Sequence, residues 1–213
     1  MNIIMPLHSC WSHKILDGSK PFEFRNRLLK DFGIGDIVYI YEAGHQGGCK
    51  MVVGEFTVKN IIKLTDDEGR YPVYGCYYFI DWYLHNIAKE PYAAEQFKLC
   101  KDIKLANYKL GSILPFAMNP DAMEPIKHGS YPPPLSKDTT DEQVNKWIDN
   151  CDSWLYSIGF YDNCLESYWK YAIEVEGAET YKEPRPLSSF ANRSGESITY
   201  VPQSMIYGSI SPF

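Results

Sequence analysis

No basic stripe runs through this chain: 21 lysines and arginines stand against 27 aspartates and glutamates, for a formal net charge of −6. Proteins that grip a long phosphate backbone do so largely through clustered Lys and Arg that release counterions. Extended double-stranded DNA is therefore not an expected partner, and any nucleic-acid contact should be local. Paired cysteine motifs are missing as well. The six cysteines, Cys10, Cys49, Cys76, Cys100, Cys151 and Cys164, never form a CxxC pair, so a reduced, intracellular setting is expected. The opening residues, Met-Asn-Ile-Ile-Met-Pro, have neither the basic region nor the apolar length of a secretion signal. No window approaches membrane-spanning length. The expectation is a cytoplasmic protein with no membrane partner. A glycine-rich phosphate loop is missing, as are paired metal-binding carboxylates, so neither phosphoryl transfer nor two-metal nuclease chemistry has support. His8, Cys10 and His13, with His45 and Cys49, come nearest to a ligand set, yet their spacing fits no standard zinc pattern. No metal or other cofactor is expected.

Aromatics, by contrast, are abundant, with 17 Tyr, 10 Phe and 5 Trp. They suit a well-packed core and also supply flat surfaces on which a base can stack. Along the chain, residues 2–5 read as a short strand that Pro6 ends. Ser9 is a plausible N-cap for a helix over 10–17, with Trp11 and Ile15 on its inner face and Gly18 as its left-handed terminator. Gly33-Ile34-Gly35-Asp36 reads as a turn before a strand at 37–41. Residues 51–62 read as a long strand in which Gly54 signals a bulge or a close backbone approach. From about residue 70 the pattern turns helical (80–84, 93–105 and 138–158), interrupted by prolines up to Pro132-Pro133-Pro134. Val144, Trp147, Ile148, Cys151 and Leu155 form one helical stripe, with Thr140 as a candidate cap. Alternation returns at 168–175, and 204–207 reads as a last strand.

The most informative segment is Gly18-Ser19-Lys20-Pro21-Phe22-Glu23-Phe24-Arg25. In a strand, Phe22 and Phe24 face one way and Glu23 and Arg25 the other. Burying the phenylalanines would place the charged groups together on the opposite surface. Such a set can bind a polar planar ligand, with Glu23 accepting from a base edge while Lys20 and Arg25 meet a phosphate or carbonyl oxygen. The plainer alternative is a surface ion pair worth about 0–1 kcal/mol. His8 and Ser9, at a helix N-terminus, offer backbone N–H groups to an oxygen, against the plainer reading of Ser9 as a cap. Among the aromatics, Tyr41 at a strand end is the better stacking candidate, and Trp11 is expected to pack.

Strand, capped helix, Gly18-x-Lys20-x-x-Glu23-x-Arg25, Gly35-Asp36 before a strand and Val53-Gly54-Glu55-Phe56 in the next resemble the ASCH family of the PUA-like superfamily. Tyr181-x-x-Pro184-x-Pro186-Leu187-x-x-Phe190 with Pro202-Gln203-Ser204 is similar to the closing segment of many bacterial and phage-type members. The resemblance implies an α+β fold: a mixed β-barrel with flanking helices and a cleft beside the first helix. Its core would be residues 1–64 and 160–213 of one domain, with a largely helical insertion at about 70–158. It further implies RNA or a modified nucleoside as ligand. On that reading His8, Ser9, Lys20, Glu23, Arg25 and Tyr41 bind it. A few small relatives are amidohydrolases of acylated cytidine that use a Lys, a Thr and a Glu. Lys20 matches their lysine, but Glu23 stands in the place of their threonine, so Lys20 and Glu23 are catalytic candidates only if the chain is an enzyme acting on a nucleoside or RNA. A third alternative is a protein-interaction module acting through the inserted helices.

Overall fold

The first strand runs straight through its proline. In the computed structural model, which describes residues 1–44, 47–64, 79, 82–89, 141–160 and 169–211, β1 spans Asn2–Leu7 and pairs in parallel with β3 (Ile37–Glu42) over its whole length. The expectation that Pro6 ends the strand is corrected, and the carbonyl alternation gives the reason. Met1 and Leu7 aim their carbonyls at the β3 side, accepting from Ile37 and Ala43, while the Asn2 carbonyl accepts from Gly208 on the other side. Pro6 shares the parity of Asn2, so its missing N–H subtracts nothing from the β1–β3 ladder.

Six strands form one mixed sheet: β2 (Phe22–Arg25), β5 (Tyr171–Arg185), β4 (Val52–Lys63), β3, β1 and β7 (Ile206–Tyr207), in that spatial order. All neighbours are antiparallel except β1–β3. β6 (Phe190–Ala191) and β8 (Ser209–Ile210) form a second, two-stranded sheet. The Arg25 guanidinium, on edge strand β2, donates at 2.8 Å to the Pro6 carbonyl on β1, four places away in the sheet order. Contact across that span requires the sheet to curl into a half-barrel. The fold is α+β, as expected.

Both faces of the curled sheet are covered. Ile3, Met5, Val38 and Ile40 join one buried cluster with Ile15 of the first helix, while Ile4, Tyr39 and Tyr41 join a second with Leu187, Phe190 and Ile198. Successive residues point to opposite faces, so two covered faces explain why β1 and β3 read as unbroken apolar runs. The β4–β5 pairing is irregular. Gly177, at φ +59°, lies where Glu176 to Glu179 on β5 oppose Glu55 to Thr57 on β4, one residue more on β5. A Cβ on Gly54 would stand 2.3 Å from the Glu179 carbonyl oxygen and 2.6 Å from a Leu16 methyl. That is the close approach foreseen at this glycine, and the ladder also shifts beside it, between Val52 and Gly54.

Helix α1 spans Ser9–Leu16 and stops at Gly18, whose φ is +80°. His8, not Ser9, is its N-cap, with extended backbone and no side-chain cap hydrogen bond. Ser9 is the first helical residue, which corrects the capping assignment.

The chain divides into two compact units, residues 1–63 with 163–213, and residues 64–162. In the second, α2 (Asp141–Ser157) buries Cys151, Trp154 and Leu155, and Trp154 stacks on Trp82 with ring centroids 5.4 Å apart. Of the foreseen stripe, Cys151 and Leu155 are internal packing. The expected helix at 93–105, the proline-rich stretch, the Thr140 cap and the side chains of Val144 and Ile148 lie outside the described residues. Among the described residues no helix is long and apolar enough to cross a membrane.

Candidate functional site

Edge strand β2 is buried on both sides, not on one. Phe22 and Phe24 are in the core as foreseen, but Glu23 is only 5% exposed and Lys20 only 3%. The expectation of an open charged face is corrected: the charges are together, and they are inside. Lys20 Nζ lies 3.4 Å from Glu23 Oε2, and Arg25 Nε lies 2.9 Å from Glu23 Oε1. Lys20 also donates to the Phe22 carbonyl at 2.7 Å, and its ammonium stands 4.6 Å from the Phe24 ring centroid and 5.3 Å from that of Trp11. Arg25 Nε is a buried donor that makes no aligned hydrogen bond. Its 2.9 Å approach to Glu23 is close enough for an ion pair, yet too oblique to count as a hydrogen bond. One carboxylate thus serves two cations, and the trio carries an excess positive charge.

The spacing produces this arrangement for a local reason. Gly18 turns the chain after α1, and the Lys20 amide bonds back to the Lys14 carbonyl. Residue 20 is thereby held beneath the helix while residues 22–25 pair with β5 at Phe22↔Glu174 to Arg25↔Tyr171.

The remaining foreseen residues separate. His8 is exposed and Ser9 half-buried at the start of α1; the His8 carbonyl accepts from the Trp11 and Ser12 amides, so His8 serves as a backbone cap. Tyr41 is only 1% exposed, within the second apolar cluster. It is a core ring, which corrects its assignment as a stacking face. Trp11, assigned to packing, is half-buried. Lys14 Nζ sits 4.8 Å from its ring centroid.

A cluster that the sequence pattern did not single out lies where α1 meets the end of β3. The Glu42 carboxylate is buried. It accepts from the Ser12 hydroxyl at 2.6 Å and the Cys49 amide at 3.2 Å, and His13 Nε2 is 3.3 Å away. Burial alone would raise its pKa, but the Ser12 and Cys49 hydrogen bonds and the nearby His13 outweigh that and hold the carboxyl below its ordinary value. Burial, followed by the hydrogen bond to Glu42, pushes the Cys49 thiol up, away from the reactive thiolate. Besides His13 and Cys49, weighed above as metal ligands, the signal in the sequence was an acidic residue closing the apolar run Ile37–Tyr41. On β5, the Tyr181 hydroxyl donates to Glu55, and the Arg185 guanidinium lies 4.7 Å from the Tyr181 ring centroid. Burial and then Glu55 raise that phenol, so it stays protonated. No group of three or more His, Cys, Asp or Glu among the described residues is placed to hold a metal ion.

No family model matches the chain, and no curated protein sequence matches it. Solved structures do resemble it. The crystal structure of ASCH from Zymomonas mobilis has a TM-score of 0.44 at 11% identity, covering 97% of this chain and 86% of that one. Two variants of the Zymomonas protein, one tyrosine-to-phenylalanine and one serine-to-alanine, give TM-scores of 0.43 at 11% identity. They cover 97% of this chain and 88% and 87% of theirs. These structural neighbours are ASCH structures. They carry the family name that the Gly18-x-Lys20-x-x-Glu23-x-Arg25 segment resembles, while the chemistry has to come from this chain's own residues.

Proposed function

We propose that this protein binds a nucleoside unit, free or exposed in RNA, beside α1, at the largely buried charge cluster of Lys20, Glu23 and Arg25. The observation that carries the reading is the burial of an ammonium and a carboxylate against a guanidinium at the end of the curled sheet. Buried ion pairs cost desolvation energy that their attraction seldom fully returns, and apolar residues of similar size would close the same gap at less cost. Charged groups held this way in one place are typical of functional sites. Glu23 has the acceptors for a base edge, and the partly exposed Arg25 guanidinium carries donors that suit a carbonyl or phosphate oxygen.

Binding suits this geometry better than catalysis. The carboxylate and two ring faces around Lys20 Nζ are partners for an ammonium, whereas a base or nucleophile must be the free amine. The test is calorimetric titration of nucleosides and short RNA into the wild type and into Lys20→Met, Glu23→Gln and Arg25→Gln, with melting curves to establish folding. Losing a charged hydrogen-bonding partner should weaken binding by about tenfold or more. Folded variants that bind as the wild type does would refute the proposal. Acylated cytidine belongs in the same screen, since release of free acid abolished by Lys20→Met would show hydrolysis instead.

A further inference from the structure

We infer that β5 carries a second ligand site, on the sheet face away from α1, which takes a small zwitterion of the α-amino-acid kind. The ammonium rests on Glu55 and the carboxylate on Arg185, across the Tyr181 ring. Nothing in it draws on Lys20, Glu23 or Arg25. The ladder between β4 and β5 breaks at this point. Gly54 pairs with Thr180 and Val52 with Arg185, so Val53 alone faces four residues, Tyr181 to Pro184. Bulges re-aim side chains and are frequent beside functional sites. Tyr181 packs on the cluster of Tyr39, Leu187 and Phe190, and its hydroxyl donates to Glu55. Tyr39 and Glu55 are register partners and share that face, whereas Ile15 of α1 packs in the other cluster. Thr180 to Pro186 line an open depression of about 600 Å³, with Tyr181 and Arg185 in its wall.

Three groups around Tyr181 keep bonding capacity. The Arg185 guanidinium lies 4.7 Å from the ring centroid, and the Tyr181 hydroxyl occupies Oε2 of Glu55. Among the described residues no hydrogen bond or ion pair engages the guanidinium, Glu55 Oε1 or the Tyr39 hydroxyl. Tyr39 is only 4% exposed, yet its hydroxyl is not sealed from water. Charge selects the ligand. Glu55 raises both phenols and Arg185 lowers both, so one anion and one cation reach the same two rings. Burial and Glu55 prevail, and the phenols stay neutral. Glu179, Lys182 and Glu183 are exposed nearby and add one net negative charge. A simple anion is repelled by Glu55 and a simple cation by Arg185. An α-amino acid offers each its opposite. Its carboxylate matches the planar fork of Arg185, whose face lies on the ring, and its ammonium takes the open oxygen of Glu55.

Calorimetry on the full chain measures L-alanine, propionate, ethylammonium and glycylglycine, while amide spectra report where each binds. L-Alanine should bind and shift amides within residues 180–185. Propionate and ethylammonium should each bind about tenfold more weakly or worse, since each forgoes one charged hydrogen bond. Arg185→Gln and Glu55→Gln should weaken alanine binding by a similar factor, about tenfold or more. Arg185→Lys keeps the charge without the fork and should recover only part of the loss. Propionate or ethylammonium binding as tightly as alanine would overturn the zwitterion site. So would a folded Arg185→Gln that binds alanine normally, or alanine binding that leaves the 180–185 amides unmoved. Tighter binding of glycylglycine would overturn the α-amino-acid class. If the wild type binds none of the four at their highest soluble concentrations, the site falls. Melting curves establish folding. Should Glu55→Gln not fold, Arg185→Gln decides, because that side chain is exposed.

Discussion

Glu42 brings a negative charge into the core with a half-committed counter-ion, since the His13 side chain beside it is 70% exposed. Hydrogen bonds from Ser12 and Cys49 therefore carry most of the burden, and together they join α1, the end of β3 and the loop before β4. The folded-state pKa lies below the ordinary Glu value of 4.5. Its stabilisation is fully present above that value and is lost as pH falls through the depressed one. Glu42→Gln should cost about 1–3 kcal/mol at pH 7. The gap from the wild type, followed by thermal melts between pH 7 and pH 3, should close on acidification; a gap independent of pH would show that the charge is not what matters. At this scale the sequence was legible where spacing is local. Lys20, Glu23 and Arg25 lie within six residues, and one turn and one strand suffice to bring them together. Tyr41 was read as a stacking face because its burial depends on Leu187, Phe190 and Ile198, far along the chain.

Among the elements, β5 outruns its alternation. The pattern names 168–175, yet β5 runs from Tyr171 to Arg185, through Gly177 and Pro184. The register slips where each of them lies, so extra residues leave the ladder and pairing resumes beyond. Pro6 is the same lesson in β1, tolerated because its missing N–H faces away from β3. Gly54 behaves as its position implied, because a glycine inside a long apolar strand marks a bulge or a close backbone approach. Gly54→Ala should destabilise the protein by about 1–3 kcal/mol, the usual cost of overpacking. The obstacle is the Glu179 backbone, which cannot swing aside as a side chain would. Denaturant unfolding measures it, and an unchanged midpoint would mean that β4 and β5 separate there without cost.

Across the whole molecule, β4 and β5 are a hairpin with an unusual loop. Lys63 pairs with Tyr171, so residues 64–170 leave and re-enter the sheet at neighbouring positions. Loop-closure entropy grows only slowly with length, about 0.6 kcal/mol per doubling, so a long insertion at this point is tolerated. Replacing 65–168 with a short polar turn should leave a folded core that melts cooperatively. Circular dichroism and a dispersed amide spectrum would verify this, and an unfolded product would show that the sheet needs the second unit.

Local punctuation was determined by the sequence itself: α1 halting at Gly18, the turn at Gly35-Asp36, the apolar strands, and the charges gathered at 20–25. These depend on backbone freedom and on side-chain alternation, which neighbouring residues specify. Only the tertiary structure decided that both faces of the sheet are covered, because alternation names two faces without saying what packs on either. That double covering put Lys20, Glu23 and Tyr41 inside. The curl of the sheet, with Arg25 reaching Pro6, arose from contacts between segments that no short window of the chain contains.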